Sequence, residues 1–84
     1  MRSVSIFGAT GSIGEQTFDL LMRAGGPDTY RTVALSGGRN ILRLAEMARA
    51  LRAGIAVCAD QADLAALRAA LAGTDVETAA GPDA

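Results

Sequence analysis

Gly8-Ala9-Thr10-Gly11-Ser12-Ile13-Gly14 is the stretch that decides the fold. It follows a short apolar run, residues 3–8, which reads as a buried strand ending in glycine. After it, Ile13, Thr17, Leu20, Leu21 and Ala24 recur at helical spacing. Ser12 and Glu15, three residues apart, are read as a capping box at the start of that helix. A glycine-rich turn between a strand and a helix places free backbone amides at a helix N-terminus, which is a site for an anion. Each glycine has its own reason. Gly8 permits the turn out of the strand, Gly11 lets a phosphate approach the backbone, and Gly14 lets the helix pack closely. The spacing is G-x-x-G-x-x-G, and the lysine of a nucleoside-triphosphate loop is missing.

Outward from that turn the pattern repeats. Gly25-Gly26-Pro27-Asp28 ends the first helix, and residues 31–36 read as a second strand broken by Gly37-Gly38. Asn40 is placed to cap a second helix with Ile41, Leu44, Ala45, Ala48 and Leu51 on one face, and Gly54 is expected to stop it. Residues 55–59 read as a third strand. Asp60 caps a third helix with Leu64, Leu67 and Leu71 on one face, and residues 75–79 form a poorer fourth strand. Arg43, Glu46, Arg49 and Arg52 read as the solvated face of the second helix. The order βαβαβαβ predicts an α/β fold, a Rossmann-like doubly wound parallel sheet with right-handed crossovers. A fourth strand with no helix after it leads to the expectation that residues 1–84 are the N-terminal, truncated portion of a dinucleotide-binding domain.

Composition narrows the function. The 84 residues carry a net charge of −1, and all eight cations are arginines scattered along the chain, which argues against nucleic acid as a partner. No apolar run approaches the ~18 residues needed to span a membrane, and nothing resembles a signal peptide. With one cysteine, Cys58, and no histidine, neither an intramolecular disulfide nor a structural zinc site is expected. Cys58 reads as a small buried hydrophobe, and Asp60 and Asp63 as capping residues. No catalytic or metal-ligating residue is assigned within the chain.

The cofactor is read at the end of the second strand. A domain that binds NAD places an acid there for the ribose 2′-hydroxyl. This chain has no acid between Asp28 and Glu46 and offers Ser36-Gly37-Gly38-Arg39-Asn40 instead. A guanidinium at Arg39 would pair with a 2′-phosphate, so NADP is favoured over NAD.

Residues 5–14, Ser-Ile-Phe-Gly-Ala-Thr-Gly-Ser-Ile-Gly, with Gln16-Thr17-Phe18-Asp19, resemble the N-terminus of the 1-deoxy-D-xylulose 5-phosphate reductoisomerase family. There the stretch runs I-L-G-(S/A)-T-G-S-I-G-x-Q-T-L-D. Val33-Ala34-Leu35-Ser36-Gly37-Gly38-Arg39-Asn40 matches its second signature, V-A-L-x-(A/G)-G-(K/R)-N. The resemblance is specific to about Leu44, with Phe7 and Phe18 in place of commoner aliphatics. It implies that Thr10, Gly11, Ser12 and Ile13 bind the NADPH pyrophosphate and adjoining ribose. It also implies that Gly38, Arg39 and Asn40 bind the 2′-phosphate end, with backbone contacts from Gly37. The family activity so implied converts 1-deoxy-D-xylulose 5-phosphate, a phosphorylated sugar, to 2-C-methyl-D-erythritol 4-phosphate on the non-mevalonate route to isoprenoids. It uses NADPH with Mg2+ or Mn2+, in a cytoplasmic homodimer, and the metal ligands are expected downstream of residue 84. Two further readings are another reductase or dehydrogenase with a G-x-T-G-x-x-G turn, and a module that senses NADP without reducing a substrate. A downstream acidic metal triad, a nucleophilic cysteine, or neither would separate the three.

Overall fold

A computed structural model describes residues 2–38 and 40–81. Four strands alternate with three α-helices: β1 (Arg2–Ile6), α1 (Ser12–Arg23), β2 (Tyr30–Ser36), α2 (Ile41–Leu51), β3 (Ile55–Cys58), α3 (Leu64–Ala70) and β4 (Glu77–Ala80). Short 3-10 turns at Gly26–Asp28 and Gln61–Asp63 lead into β2 and α3. All strand pairs are parallel, in the order β1-β2-β3-β4. Each crossover therefore steps the same way along the sheet.

The rows of the sheet explain the core. Ile6, Leu35, Ala56 and Thr78 are cross-strand neighbours. Ile6, Leu35 and Ala56 join Cys58 in the buried cluster beneath Leu44, Met47, Ala48 and Leu51 of α2 and Leu67 and Leu71 at α3. Phe18 and Leu21 bring α1 onto the same cluster. The alternate positions Ala34, Ile55, Val57 and Ala79 point away and stay half-buried, because no described helix covers that face. The register slips by one residue between Val4 and Ser5, where Val4 pairs with Thr32 and Ser5 with Ala34.

Helix ends account for most differences from the sequence reading. The capping box at Ser12 is not formed. Gly11 is the N-cap, Ser12 is already helical, no side chain caps the helix, and the Glu15 carboxylate is turned to Arg43. The α1 stripe is rotated as well. Gly14, Phe18 and Leu21 face inward, while Ile13 is 79% and Leu20 66% exposed. Asn40 caps α2 as expected, its Oδ1 accepting from the Arg43 amide at 3.2 Å. Arg52, not Gly54, ends that helix, in the left-handed conformation at φ 51°. Gly54 instead permits a close backbone approach, since a Cβ there would lie 2.8 Å from the Val33 carbonyl oxygen. Asp60 Oδ1 accepts from the Ala62 amide at 3.0 Å and so caps the 3-10 turn before α3.

Gly14 fixes the departure of α1. A Cβ there would sit 2.5 Å from both Cα and the carbonyl oxygen of Ala9, with the Gly8 carbonyl oxygen also in the way. Gly14→Ala is therefore expected to destabilise the protein by about 1–3 kcal/mol, the range for forcing atoms into a packed site. Gly38→Ala, with nothing within 4 Å of the added methyl, should change stability by no more than ~0.5 kcal/mol. Urea midpoints of the two variants check this; equal shifts would count against it.

Candidate functional site: the paired turns at the strand ends

Two turns meet at the C-terminal end of the sheet, where open α/β folds bind ligands. The first, residues 7–11, leaves β1. Gly8 takes φ +68°, a conformation that costs glycine little and other residues more. The Gly11 amide donates to the Gly8 carbonyl at 3.0 Å and closes the turn. The amides of Ser12, Ile13 and Gly14 come before the first intrahelical acceptor and find none among the described residues. Gly11, Ser12 and Ile13 are exposed. The helix dipole adds partial positive charge at the same place. An anion with several acceptor oxygens fits this arrangement, and a pyrophosphate has them.

The second turn follows β2 and is bonded to the first. Ala9 N–H donates to the Ser36 carbonyl at 2.7 Å, and Gly8 N–H to Ser36 Oγ at 3.3 Å. Gly38 N–H donates to Thr10 Oγ1 at 3.4 Å. Gly37 lies between Thr10 and Leu44, so a side chain there would meet both. Beside it is a hollow of about 220 Å³ lined by Ser36, Gly37, Val57, Cys58, Ala59 and Gly81. A larger cleft of about 410 Å³, lined in part by Arg49, Arg52 and Asp75, lies where β3 and β4 begin, at the opposite end from the free amides.

The structure thus brings Thr10, Gly37 and Gly38 together and sets Gly11, Ser12 and Ile13 next to them at the start of α1. Asn40 is exposed at the same edge. Its Oδ1 is committed to the helix cap, which leaves its amide nitrogen for a ligand. Arg39 lies outside the described residues.

Sequence reasoning missed the strongest contact between the turns. Arg43, read as part of a solvated face, instead reaches the Glu15 carboxylate. Its Nε donates to Oε2 at 2.9 Å and to Oε1 at 3.1 Å, and Nη2 donates to Oε1 at 2.7 Å. The guanidinium carbon stands 5.0 Å from the centre of the Phe18 ring. The Arg43 hydrogen bonds hold the Glu15 carboxyl below its ordinary pKa, partly offset by burial. The only sequence signal was a spacing. Gly8 to Ser36, Thr10 to Gly38 and Glu15 to Arg43 are each 28 residues apart, one strand–helix unit.

Cys58 is buried, and burial pushes its thiol pKa up. Its Sγ donates to the Asp60 carbonyl at 3.3 Å, the environment of an inert core cysteine. Among the described residues, no three His, Cys, Asp or Glu side chains cluster, and no helix is long and apolar enough to cross a membrane.

Comparison with known proteins gives this arrangement a context. The family model described as 1-deoxy-D-xylulose 5-phosphate reductoisomerase matches residues 4–84. The enzymes of that name from Cereibacter sphaeroides and Paracoccus denitrificans are 70% and 67% identical over 84 residues. These matches cover the whole chain but only 21% and 22% of those relatives, so the chain spans about a fifth of their length. The reductoisomerase of Zymomonas mobilis, solved with NADPH, superposes with a TM-score of 0.91 at 46% identity, over 98% of this chain and 21% of that one. A reductoisomerase solved with NADPH, fosmidomycin and magnesium gives 0.86 at 28% identity, over 99% and 20%. The four parallel strands with their helices therefore have the Rossmann-like fold expected, and the chain belongs to the 1-deoxy-D-xylulose 5-phosphate reductoisomerase family.

Proposed function

We propose that these residues are the NADPH-binding part of a 1-deoxy-D-xylulose 5-phosphate reductoisomerase. The observation that carries the reading is the bonded pair of turns. Free amides for a pyrophosphate sit beside a turn that lacks the acid an NAD site would place there. Two of the solved relatives hold NADPH, one of them together with fosmidomycin and magnesium.

In this reading, Thr10, Gly11, Ser12 and Ile13 hold the pyrophosphate and adjoining ribose. Gly37, Gly38, Arg39 and Asn40 hold the adenosine 2′-phosphate. NADPH supplies a hydride when bound. The chain's own residues orient that donor: the α1 amides fix the phosphates, and the Thr10–Gly38 hydrogen bond fixes the spacing of the two turns. The sugar-phosphate site and the ligands for Mg2+ or Mn2+ are proposed to lie in the part of the enzyme that corresponds to the other four-fifths of its relatives' length. The complete enzyme is proposed to be a cytoplasmic homodimer that yields 2-C-methyl-D-erythritol 4-phosphate.

In the complete protein, Arg39→Ala is expected to weaken NADPH binding by about 1–3 kcal/mol, the range for a lost charge-assisted hydrogen bond, and to change NADH binding little. Fluorescence titration of both cofactors decides it. Equal losses for the two would show that Arg39 does not read the 2′-phosphate.

Gly11→Val is expected to abolish NADPH binding while leaving the far-UV circular dichroism intact. The backbone at Gly11 has φ −81°, open to any residue, and the new Cβ would meet only the Gly8 carbonyl oxygen, at 3.4 Å. Binding retained by a folded variant would remove the pyrophosphate from this turn.

A further inference from the structure

Arg43 sits at a junction that none of the assigned site residues occupies. Its backbone amide closes the α2 cap on Asn40, directly behind the second turn. Its side chain leaves α2 and grips Glu15 in the first turn of α1, directly behind the first. Three hydrogen bonds of 2.7–3.1 Å form the grip, and the Phe18 ring limits where the guanidinium can move. The side chains are only 30% and 39% exposed. Glu46 is a second, looser partner at 3.7 Å, on a side chain 67% exposed. An exposed pair of flexible side chains would do little. A guanidinium fork on a carboxylate fixes both distance and plane.

Glu15 also raises an electrostatic problem that this contact answers. Its carboxylate stands in the helical turn whose amides are offered to a pyrophosphate. Unpaired, it would add negative charge beside the phosphates. Paired, its charge is cancelled, and the guanidinium ties it to the turn that would hold the 2′-phosphate end.

We propose that Glu15 and Arg43 form a positioning pair for the cofactor. The fork holds the two cofactor turns at a fixed separation and neutralises the carboxylate behind the pyrophosphate. This rests on the NADPH reading and deepens it. Neither side chain needs to touch the cofactor.

The two effects can be separated in the complete protein. Arg43→Gln removes the fork and bares the Glu15 charge. Glu15→Gln, Arg43→Lys and the double variant Glu15→Gln/Arg43→Gln loosen the fork without leaving an uncompensated carboxylate. NADPH dissociation constants are read by nicotinamide fluorescence without substrate or metal. Arg43→Gln is expected to raise the constant about fivefold, from the size of a charge effect at a helix N-terminus, and the other three about twofold, the size of a loosened ion pair. The gap between Arg43→Gln and the double variant should narrow at high salt. At saturating NADPH, kcat and KM for the sugar phosphate should stay at wild-type values.

An Arg43→Gln constant equal to wild type, or a double variant as weak as Arg43→Gln, overturns the proposal. A fall in kcat across all variants makes the pair a general structural contact and also overturns it. If Arg43→Gln fails to fold, Arg43→Lys and Glu15→Gln decide, because a positioning role requires both to weaken NADPH while keeping kcat. A folded wild-type protein that does not bind NADPH overturns the functional reading itself, and the proposal with it.

Discussion

Helix α1 can leave the sheet at its observed angle only because residue 14 has no side chain. The Gly14 backbone rests on the carbonyl oxygens of Gly8 and Ala9, in space that a Cβ would need. That close approach sets where the first turn of α1 lies. It puts the free amides at the end of β1, Phe18 and Leu21 over the core, and Glu15 within reach of α2. A helix held farther out would lose the Arg43 contact and the packing of Phe18 together.

The second turn is positioned relative to the first rather than independently. Parallel pairing of β1 with β2 brings the two strand ends side by side, and hydrogen bonds from Gly8, Ala9 and Gly38 then join the turns. The sheet supplies a coarse alignment through its register, and the polar contacts refine it. The core is built from residues of modest size, with several alanines among the buried positions. Such a core buries limited apolar area per residue, so directional contacts at the strand ends matter more to the local geometry.

The uncovered face of the sheet follows from the topology. Four strands laid down in sequence order, with the right-handed crossovers usual for parallel strands, put every connecting helix on one side, where α1, α2 and α3 share one core cluster. The other side keeps Ala34, Ile55, Val57 and Ala79 partly exposed, an apolar surface that parallel sheets normally cover.

The sequence by itself determined the element order, the glycine-marked turn, the cap at Asn40 and the absence of an acid after β2, whereas Asp60 caps the 3-10 turn rather than α3, whose N-cap is Asp63. Each of these is a local matter, decided within a few residues by backbone sterics, capping chemistry or hydrophobic period. It could not determine which α1 residues face inward, since Ile13 and Leu20 fit the helical stripe as well as Phe18 and Leu21 do. Nor could it show that Glu15 would leave the expected capping box for Arg43, or that Gly54 was needed beside Val33 rather than as a helix stop. Those outcomes belong to the tertiary structure, because each depends on the distance between groups 21 to 28 residues apart in the chain. Only strand pairing and the packing of α1 on its own turn bring such groups together.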